Sequence, residues 1–179
     1  MRRLAYKSAA IIPALLLGGC MGSGATVRTA SVPSPAVIVA PVMLSAAAYV
    51  AAASSIDLYE MQSAQLALQR AQDPANRAFA ERALSAHQGT SAQLSMAGRR
   101  LNLLPTATLD AEHQSLLSAL AATSDFDNTY RAQQQYVLEE GVRLHGGFAR
   151  TSDSPTLRPI AQNAENVIRA NLQALRQSR

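Results

Sequence analysis

The sequence offers three ionisable side chains that could act together at a metal site. His87 and His113 fall on the apolar faces that a helical periodicity predicts, and Glu60 could add a carboxylate to their two imidazoles. Imidazole nitrogen and carboxylate oxygen are common ligands of transition metals. The alternative, which we favour, is that each histidine is buried or half-buried and hydrogen bonded to a backbone carbonyl or a polar neighbour. We therefore predict no cofactor, and keep Glu60, His87 and His113 as candidate metal ligands.

The spacing of the glutamates excludes one well-defined metal chemistry. A di-iron site in a helical bundle requires a Glu-x-x-His motif on two helices. In this chain no glutamate has a histidine three residues later, and those positions hold Ser63, Leu84, Ser115, Val142, Arg143 and Ile168. The sequence also lacks a phosphate-binding glycine loop and a Cys-x-x-Cys pair. Because no catalytic motif is present, we predict that the protein is not an enzyme.

The only cysteine of the chain, Cys20, ends the run Leu-Leu-Leu-Gly-Gly-Cys. This run follows Arg2, Arg3, Lys7 and a short apolar stretch, an arrangement typical of a secretory signal peptide. A branched residue and two small residues before the cysteine resemble the lipobox of bacterial lipoproteins, in which the cysteine is diacylated and becomes the first residue of the mature protein. The resemblance implies a signal peptide at residues 1–19 and membrane lipid as the partner of acylated Cys20.

Other interpretations of this N-terminal segment are open. A simple secreted protein could carry a cysteine near its cleavage point by chance, and the pair Arg2-Arg3 also occurs in twin-arginine export signals. A transmembrane anchor is disfavoured, because Tyr6, Lys7 and Pro13 interrupt the apolar stretch and leave it short of the ~20 apolar residues that span a bilayer.

The charge and aromatic content argue against a nucleic-acid partner. The sequence carries +4, but Arg2, Arg3 and Lys7 belong to the predicted leader, and subtracting these three leaves +1. The predicted mature chain has no basic stripe. The full sequence has three Phe, five Tyr and no Trp, and so lacks the aromatic platforms on which single-stranded nucleic acid stacks. We predict no nucleic-acid partner, and the sequence does not identify a protein partner.

Past Cys20, the composition predicts a tether and then one helical domain. Pro33, Pro35 and Pro41 lie among Gly, Ser and Thr and predict a flexible tether over residues 20–43, because proline disfavours helix. Over residues 44–179, apolar residues recur at spacings of three and four, which predicts amphipathic helices.

The predicted helices form an all-α domain of four long helices and one short one, which fits an antiparallel bundle. We expect the first two helices at residues 45–71 and 74–102. The next three should begin after capping residues, namely Thr108, Ser124 and Ser154. Gly89 is expected at a close helix contact, and His145, one residue off its apolar stripe, is expected in solvent.

With the helices placed, the chain resembles the domain of unknown function 4142 family, described as ferritin-like helical proteins of bacterial envelopes. The resemblance covers about residues 44–175. The residues that carry it are Glu60 with Leu66-Ala67-Leu68, Phe79-Ala80 with His87, His113-Gln114 with Leu117, Phe126-Asp127 with Tyr130 and Gln133, and Leu157 with Ile160-Ala161. It implies a ferritin-like antiparallel four-helix bundle with one extra short helix.

This chain departs from the family at positions where relatives often carry an acid or a histidine. Ala86 stands just before the histidine of the second helix, Leu138 stands in the helix that begins near Phe126, and Asn171 stands in the last helix. If relatives bind metal through these positions, this chain has lost most of the ligands.

Taken together, these features predict an exported bacterial envelope lipoprotein with a lipid-anchored domain in the periplasm. Met21, rather than Asp, follows Cys20, which resembles the sorting pattern of outer-membrane lipoproteins. We expect a non-enzymatic binding or structural component of the envelope. The alternative is a ferritin-like bundle that binds metal or carries out redox chemistry through Glu60, His87 and His113.

Overall fold

The computed structural model describes residues 43–178. The predicted signal peptide at residues 1–19, including its cleavage point before Cys20, and the tether up to residue 42 lie outside the described residues. Within them the chain forms five α-helices and no strand. The helices are α1 (Ala46–Arg70), α2 (Pro74–Arg100), α3 (Ala111–Ala122), α4 (Phe126–Thr151) and α5 (Leu157–Gln177).

Four of these helices form a bundle in which neighbours run antiparallel. The contacts join α1 to α2, α2 to α5, α5 to α4 and α4 to α1, which closes a square. The segment between α2 and α4 carries α3, which packs against α1 and α4 and returns the chain along the bundle. One long crossover is the connection that ferritin-like bundles use. The predicted all-α, ferritin-like four-helix bundle with one extra short helix is confirmed.

The helix starts follow local capping, and two of the predicted caps are wrong. Asp110, not Thr108, caps α3, because its Oδ1 accepts the backbone N–H of His113 at 2.9 Å. α4 begins after Asp125 rather than Ser124, and Asp125 makes no side-chain cap bond. Ser154 does act at the start of α5, where its Oγ accepts the N–H of Leu157 at 3.2 Å.

Three apolar clusters fill the bundle: two lie toward its ends, and the third, made of Ile56, Tyr59 and Val137, lies near its middle on the side of α3. Of the two end clusters, one gathers Phe79, Phe126, Tyr130 and small alanines near the turn between α1 and α2, and the other gathers Tyr49, Phe148 and Leu157 near the opposite end. Tyr49 stacks on Phe148 with ring centroids 3.8 Å apart. None of the helices at residues 43–178 is long and apolar enough to cross a membrane.

The glycines of α2 differ in what surrounds them. The expectation of close packing at Gly89 is wrong, because a Cβ there would meet no atom within 4 Å. A Cβ at Gly98 would collide with the carbonyl oxygen of Leu103, since the chain folds back where the N–H groups of Leu101 and Leu103 both bond to Gly98 O. Of these two glycines, only Gly98 is required by the fold.

We therefore expect opposite effects from two alanine substitutions in α2. Gly89→Ala should raise the free energy of unfolding by about 0.5–1 kcal/mol, because alanine loses less backbone entropy in a helix. Gly98→Ala should lower it by about 1–3 kcal/mol, because backbone must move to admit the methyl group. Urea unfolding of both variants measures the difference. A stabilised Gly98→Ala protein would contradict the turn described above.

Candidate functional site in the bundle interior

A layer of polar side chains lies between the two end clusters. Asp57 and Glu60 are three residues apart on α1 and therefore share one face, and His87 comes from α2 opposite them. All three are buried, with 1%, 0% and 0% of their surface exposed. Charged residues are rarely buried so completely unless they are paired. This layer is therefore the candidate functional site.

Asp57 holds the imidazole of His87 in a defined orientation. Its Oδ1 lies 2.8 Å from His87 Nδ1 and also accepts the hydroxyl hydrogen of Thr90 at 2.7 Å. Because an ionised carboxylate only accepts hydrogen bonds, Nδ1 carries the hydrogen and Nε2 points away from Asp57. Burial opposes protonation of the ring, but the carboxylates of Asp57 and Glu60 outweigh it and raise the pKa of His87.

Glu60 faces His87 and has no hydrogen-bond partner. Both of its carboxylate oxygens and His87 Nε2 are unpaired, and Oε2 lies 4.0 Å from Nε2. The amide of Gln134 is near enough to favour the charged carboxylate, but it donates its hydrogen bond to Ser63 Oγ at 3.0 Å. Burial therefore raises the pKa of Glu60 to about 7, although the attraction of His87 opposes this rise.

This arrangement favours a cation. When both carboxylates are ionised and His87 is protonated, the trio still carries one excess negative charge in a setting that water does not reach. An uncompensated buried charge is costly, and the cost falls if a proton or a metal cation joins the trio. A buried polar group without a partner calls for such an explanation.

The side chains of this site are of the types that bind transition metals, but few of them are available as ligands. An imidazole nitrogen and a carboxylate oxygen point toward each other, and Asp57 supplies the outer hydrogen bond that ligating histidines usually make. Within residues 43–178 no group of three or more His, Cys, Asp or Glu side chains converges on one point. Because water does not reach this layer, a metal at Glu60 and His87 would have to take its remaining ligands from neutral oxygens of the protein.

The third predicted ligand, His113, belongs to a different cluster. Its Nδ1 lies 2.9 Å from Asp110 Oδ2 and 2.8 Å from Ser55 Oγ, and its Nε2 lies 3.3 Å from Glu140 Oε2. Neither a hydrogen bond nor an ion pair joins it to Glu60 or His87. The structure thus brings together Glu60 and His87 of the predicted set and places His113 beside other acids.

The expectation that His145 lies in solvent is wrong. Only 2% of its surface is exposed, and its Nδ1 lies 2.9 Å from the hydroxyl of Tyr49. α4 packs against α1 and α5 at once, so its buried face is wider than one stripe. Burial lowers the pKa of His145 to about 4, and the attraction of the carboxylates of Asp57 and Glu165 does not offset it.

Sequence reasoning missed three acids of the site, Asp57, Asp110 and Glu140. Asp57 could have been found, because it precedes Glu60 by three residues and therefore shares its face. Glu140 follows Glu139 directly, but the two side chains have different surroundings. Glu139 does bind Arg176 on the outside at 2.9 Å, but Glu140 turns inward to His113.

The fold and its buried carboxylate–imidazole pairs define an all-α bundle of the ferritin-like kind with a polar interior. Residues 32–177 match the domain of unknown function DUF4142, so the chain belongs to this family. No curated protein matches the chain. A solved structure, CopM in the Cu(II)-bound form, is similar with a TM-score of 0.62 and 14% identity, covering 73% of this chain and 93% of that one. At that identity the likeness shows the fold alone.

The burial of Glu60 predicts how stability depends on pH. Because its pKa in the folded protein is raised, to about 7, the folded state binds a proton that the unfolded state releases near pH 4.5. The contribution of Glu60 is thus complete below pH 4.5 and is lost as the pH rises to about 7. Relative to wild type, Glu60→Gln should gain on the order of 3 kcal/mol across this interval.

Chemical unfolding in EDTA from pH 4 to 8 measures the free energies of unfolding of Glu60→Gln and wild type. Subtracting one from the other cancels the contributions of the other titrating groups. Glu81→Gln, at an exposed position of α2, is the matched control and should track wild type at every pH. A constant offset between Glu60→Gln and wild type would contradict the burial of a titrating carboxyl group.

Proposed function

We propose that this chain is a lipoprotein of the bacterial cell envelope and that its bundle is a non-enzymatic module that binds a divalent transition-metal cation at Glu60 and His87. One observation carries the metal assignment: in a fully buried layer, Glu60 Oε2 lies 4.0 Å from His87 Nε2, and neither these atoms nor Glu60 Oε1 have a hydrogen-bond partner. The lipid anchor rests on the lipobox-like sequence that ends in Cys20.

The four residues of the site would have different roles in binding the metal. Glu60 and His87 would hold the metal, which would supply the positive charge that the buried trio lacks. Asp57 keeps the hydrogen on His87 Nδ1, so that the lone pair of Nε2 is available when the ring is neutral. Thr90 anchors Asp57 through its hydroxyl group. The similarity to CopM in the Cu(II)-bound form supports the proposal only in one respect: a protein of similar fold binds a transition metal.

The lipid anchor would keep this module at a membrane surface. Each buried methylene of an acyl chain contributes about 0.8 kcal/mol, and two chains together anchor a protein stably. Because Met21 follows the cysteine, we place the anchor in the outer membrane with the bundle facing the periplasm. The role is then to bind or buffer metal at this surface, or to support an envelope structure.

Metal content tests the binding proposal. The protein is purified from the expressing bacterium without a metal-binding affinity tag, in detergent if it fractionates with membranes, and metals are measured by mass spectrometry. We expect a bound transition metal that is lost in Glu60→Gln and in His87→Leu and kept in Glu81→Gln. Asp57→Asn should weaken binding by about 10–100-fold without removing a ligand. A metal-free wild type that takes up no added Zn²⁺ or Cu²⁺ would contradict the proposal.

Fractionation tests the anchor independently of the metal. The wild type should sediment with membranes and label with radioactive palmitate, because acylation occurs on the Cys20 sulfur. Cys20→Ser removes this sulfur and should abolish labelling and leave an unprocessed or soluble protein. Membrane association that persists unchanged in Cys20→Ser, without label in the wild type, would contradict lipidation.

A further inference from the structure

One end of the bundle carries most of its exposed apolar side chains. This tether-proximal end comprises residues 43–54, 96–109 and 147–160, where α1 and α5 begin and α2 and α4 end. Among residues 43–178, five large apolar side chains are exposed, and only Tyr136 lies outside this end. The other four, with exposed fractions of 50%, 40%, 56% and 72%, are Met43, Leu44, Met96 and Leu104. Apolar side chains exposed singly need no explanation, but a group of them at one end indicates a contact surface.

The most exposed of these side chains, that of Leu104, is held by the turn that follows α2. The N–H of Leu103 donates to Gly98 O at 2.9 Å, and Asn102 adopts a left-handed conformation with a φ of 56°. Leu103 packs against the apolar cluster at this end, whereas the next residue, Leu104, is exposed. Because Pro105 follows, the backbone of Leu104 is restricted as well. The turn therefore presents Leu104 to the outside in a defined position.

The charges at the tether-proximal end are mainly positive. Asp153 is its one acid, and its exposed arginines are Arg99, Arg100, Arg150 and Arg158. This end thus has an excess of three positive charges, although residues 43–179 as a whole contain as many arginines as acids. The arginines that form ion pairs in the described part of the chain lie elsewhere. A surface that combines apolar side chains with unpaired cations is complementary to an anionic lipid surface.

The place where the chain enters the bundle favours a membrane as the occupant of this surface. The described chain begins at Met43, at this same end, and the predicted lipid anchor Cys20 precedes it by 23 residues. A flexible linker of this length spans about 25–30 Å on average. The other end lies roughly 40 Å farther along α1. Because a short linker gives an effective concentration in the mM range, a surface of modest affinity is sufficient for docking.

We propose that the tether-proximal end docks on the anionic phospholipid surface of the membrane that holds the anchor. Leu104 enters the interface between headgroups and acyl chains, and Arg99 and Arg100 contact lipid phosphates. Docking sets the bundle upright, with the turn between α1 and α2 directed away from the membrane. The proposal rests on the lipid anchor proposed above and does not depend on the metal.

A single tryptophan tests this docking. Because the chain contains no Trp, Leu104→Trp reports on this position alone. The full-length variant is purified in detergent and reconstituted into vesicles of phosphatidylcholine, with or without phosphatidylglycerol, that contain lipids brominated on their acyl chains. With phosphatidylglycerol we expect a blue-shifted emission that bromine quenches, and the shift should decrease at high salt. Arg99→Gln combined with Arg100→Gln should lower the ratio of docked to undocked protein on the order of 30-fold.

Two matched controls use the opposite end of the bundle. Ser124→Trp places the probe at an exposed position there and should keep the emission of a tryptophan in water. Arg82→Gln combined with Arg176→Gln removes the same charge from exposed positions of that half and should leave the docking of Leu104→Trp unchanged. The controls thus separate a local surface from a general attraction between a cationic protein and the vesicle.

Equal emission of Leu104→Trp with and without phosphatidylglycerol would overturn the proposal. A blue shift that follows protein concentration in the absence of lipid would also overturn it, because it would identify a contact between copies of the chain. The anchor is tested separately by flotation of wild type and Cys20→Ser. If the wild type floats with its acyl chains while Leu104→Trp stays in water, docking fails and the anchor stands. If the wild type carries no acyl chain but added anionic vesicles still shift Leu104→Trp, the anchor fails and the docking surface stands.

Discussion

The hydrogen bond from His87 Nδ1 to Asp57 is the interaction on which the interior of the bundle depends. It joins α1 to α2 in the middle of the longest helix contact and settles which nitrogen of the ring faces Glu60. Without Asp57 the imidazole could present either nitrogen, and the 4.0 Å approach of Nε2 to the carboxylate would no longer be specified. The orientation of one ring therefore links the packing of two helices to the chemistry between them.

Burying this polar layer lowers the stability of the fold, and this cost indicates that the layer has a function. Apolar clusters fill the rest of the bundle interior, and buried ionic groups are often replaced by apolar ones without loss of stability. Instead the layer interrupts the core with a carboxylate that has no donor. Proteins commonly accept lower stability where a site must bind something. The interruption is thus better explained by binding than by folding.

The periodicity of the sequence predicted the bundle well because Leu and Ala recur at helical spacing and Asp73-Pro74 marks a helix start. The periodicity gave wrong predictions at positions where packing between helices determines whether a residue is buried. His145 lies off its stripe but is buried, because two helices cover α4, and Gly89 has open space where contact was expected. Glu60 and His87 were found as candidates, but the turn of Glu140 toward His113 depends on the placement of α3. No spacing within one helix contains that information.

The three buried histidines show what the acids contribute. All three present an Nε2 without a hydrogen-bond partner inside the bundle. His145, whose Nδ1 meets the hydroxyl group of Tyr49, has its pKa lowered to about 4 by burial. His87 and His113, which contact carboxylates, have raised pKa values although burial opposes the protonation of both rings. The carboxylates therefore turn a position that repels positive charge into one that attracts it, and the bundle does this at two places along its length.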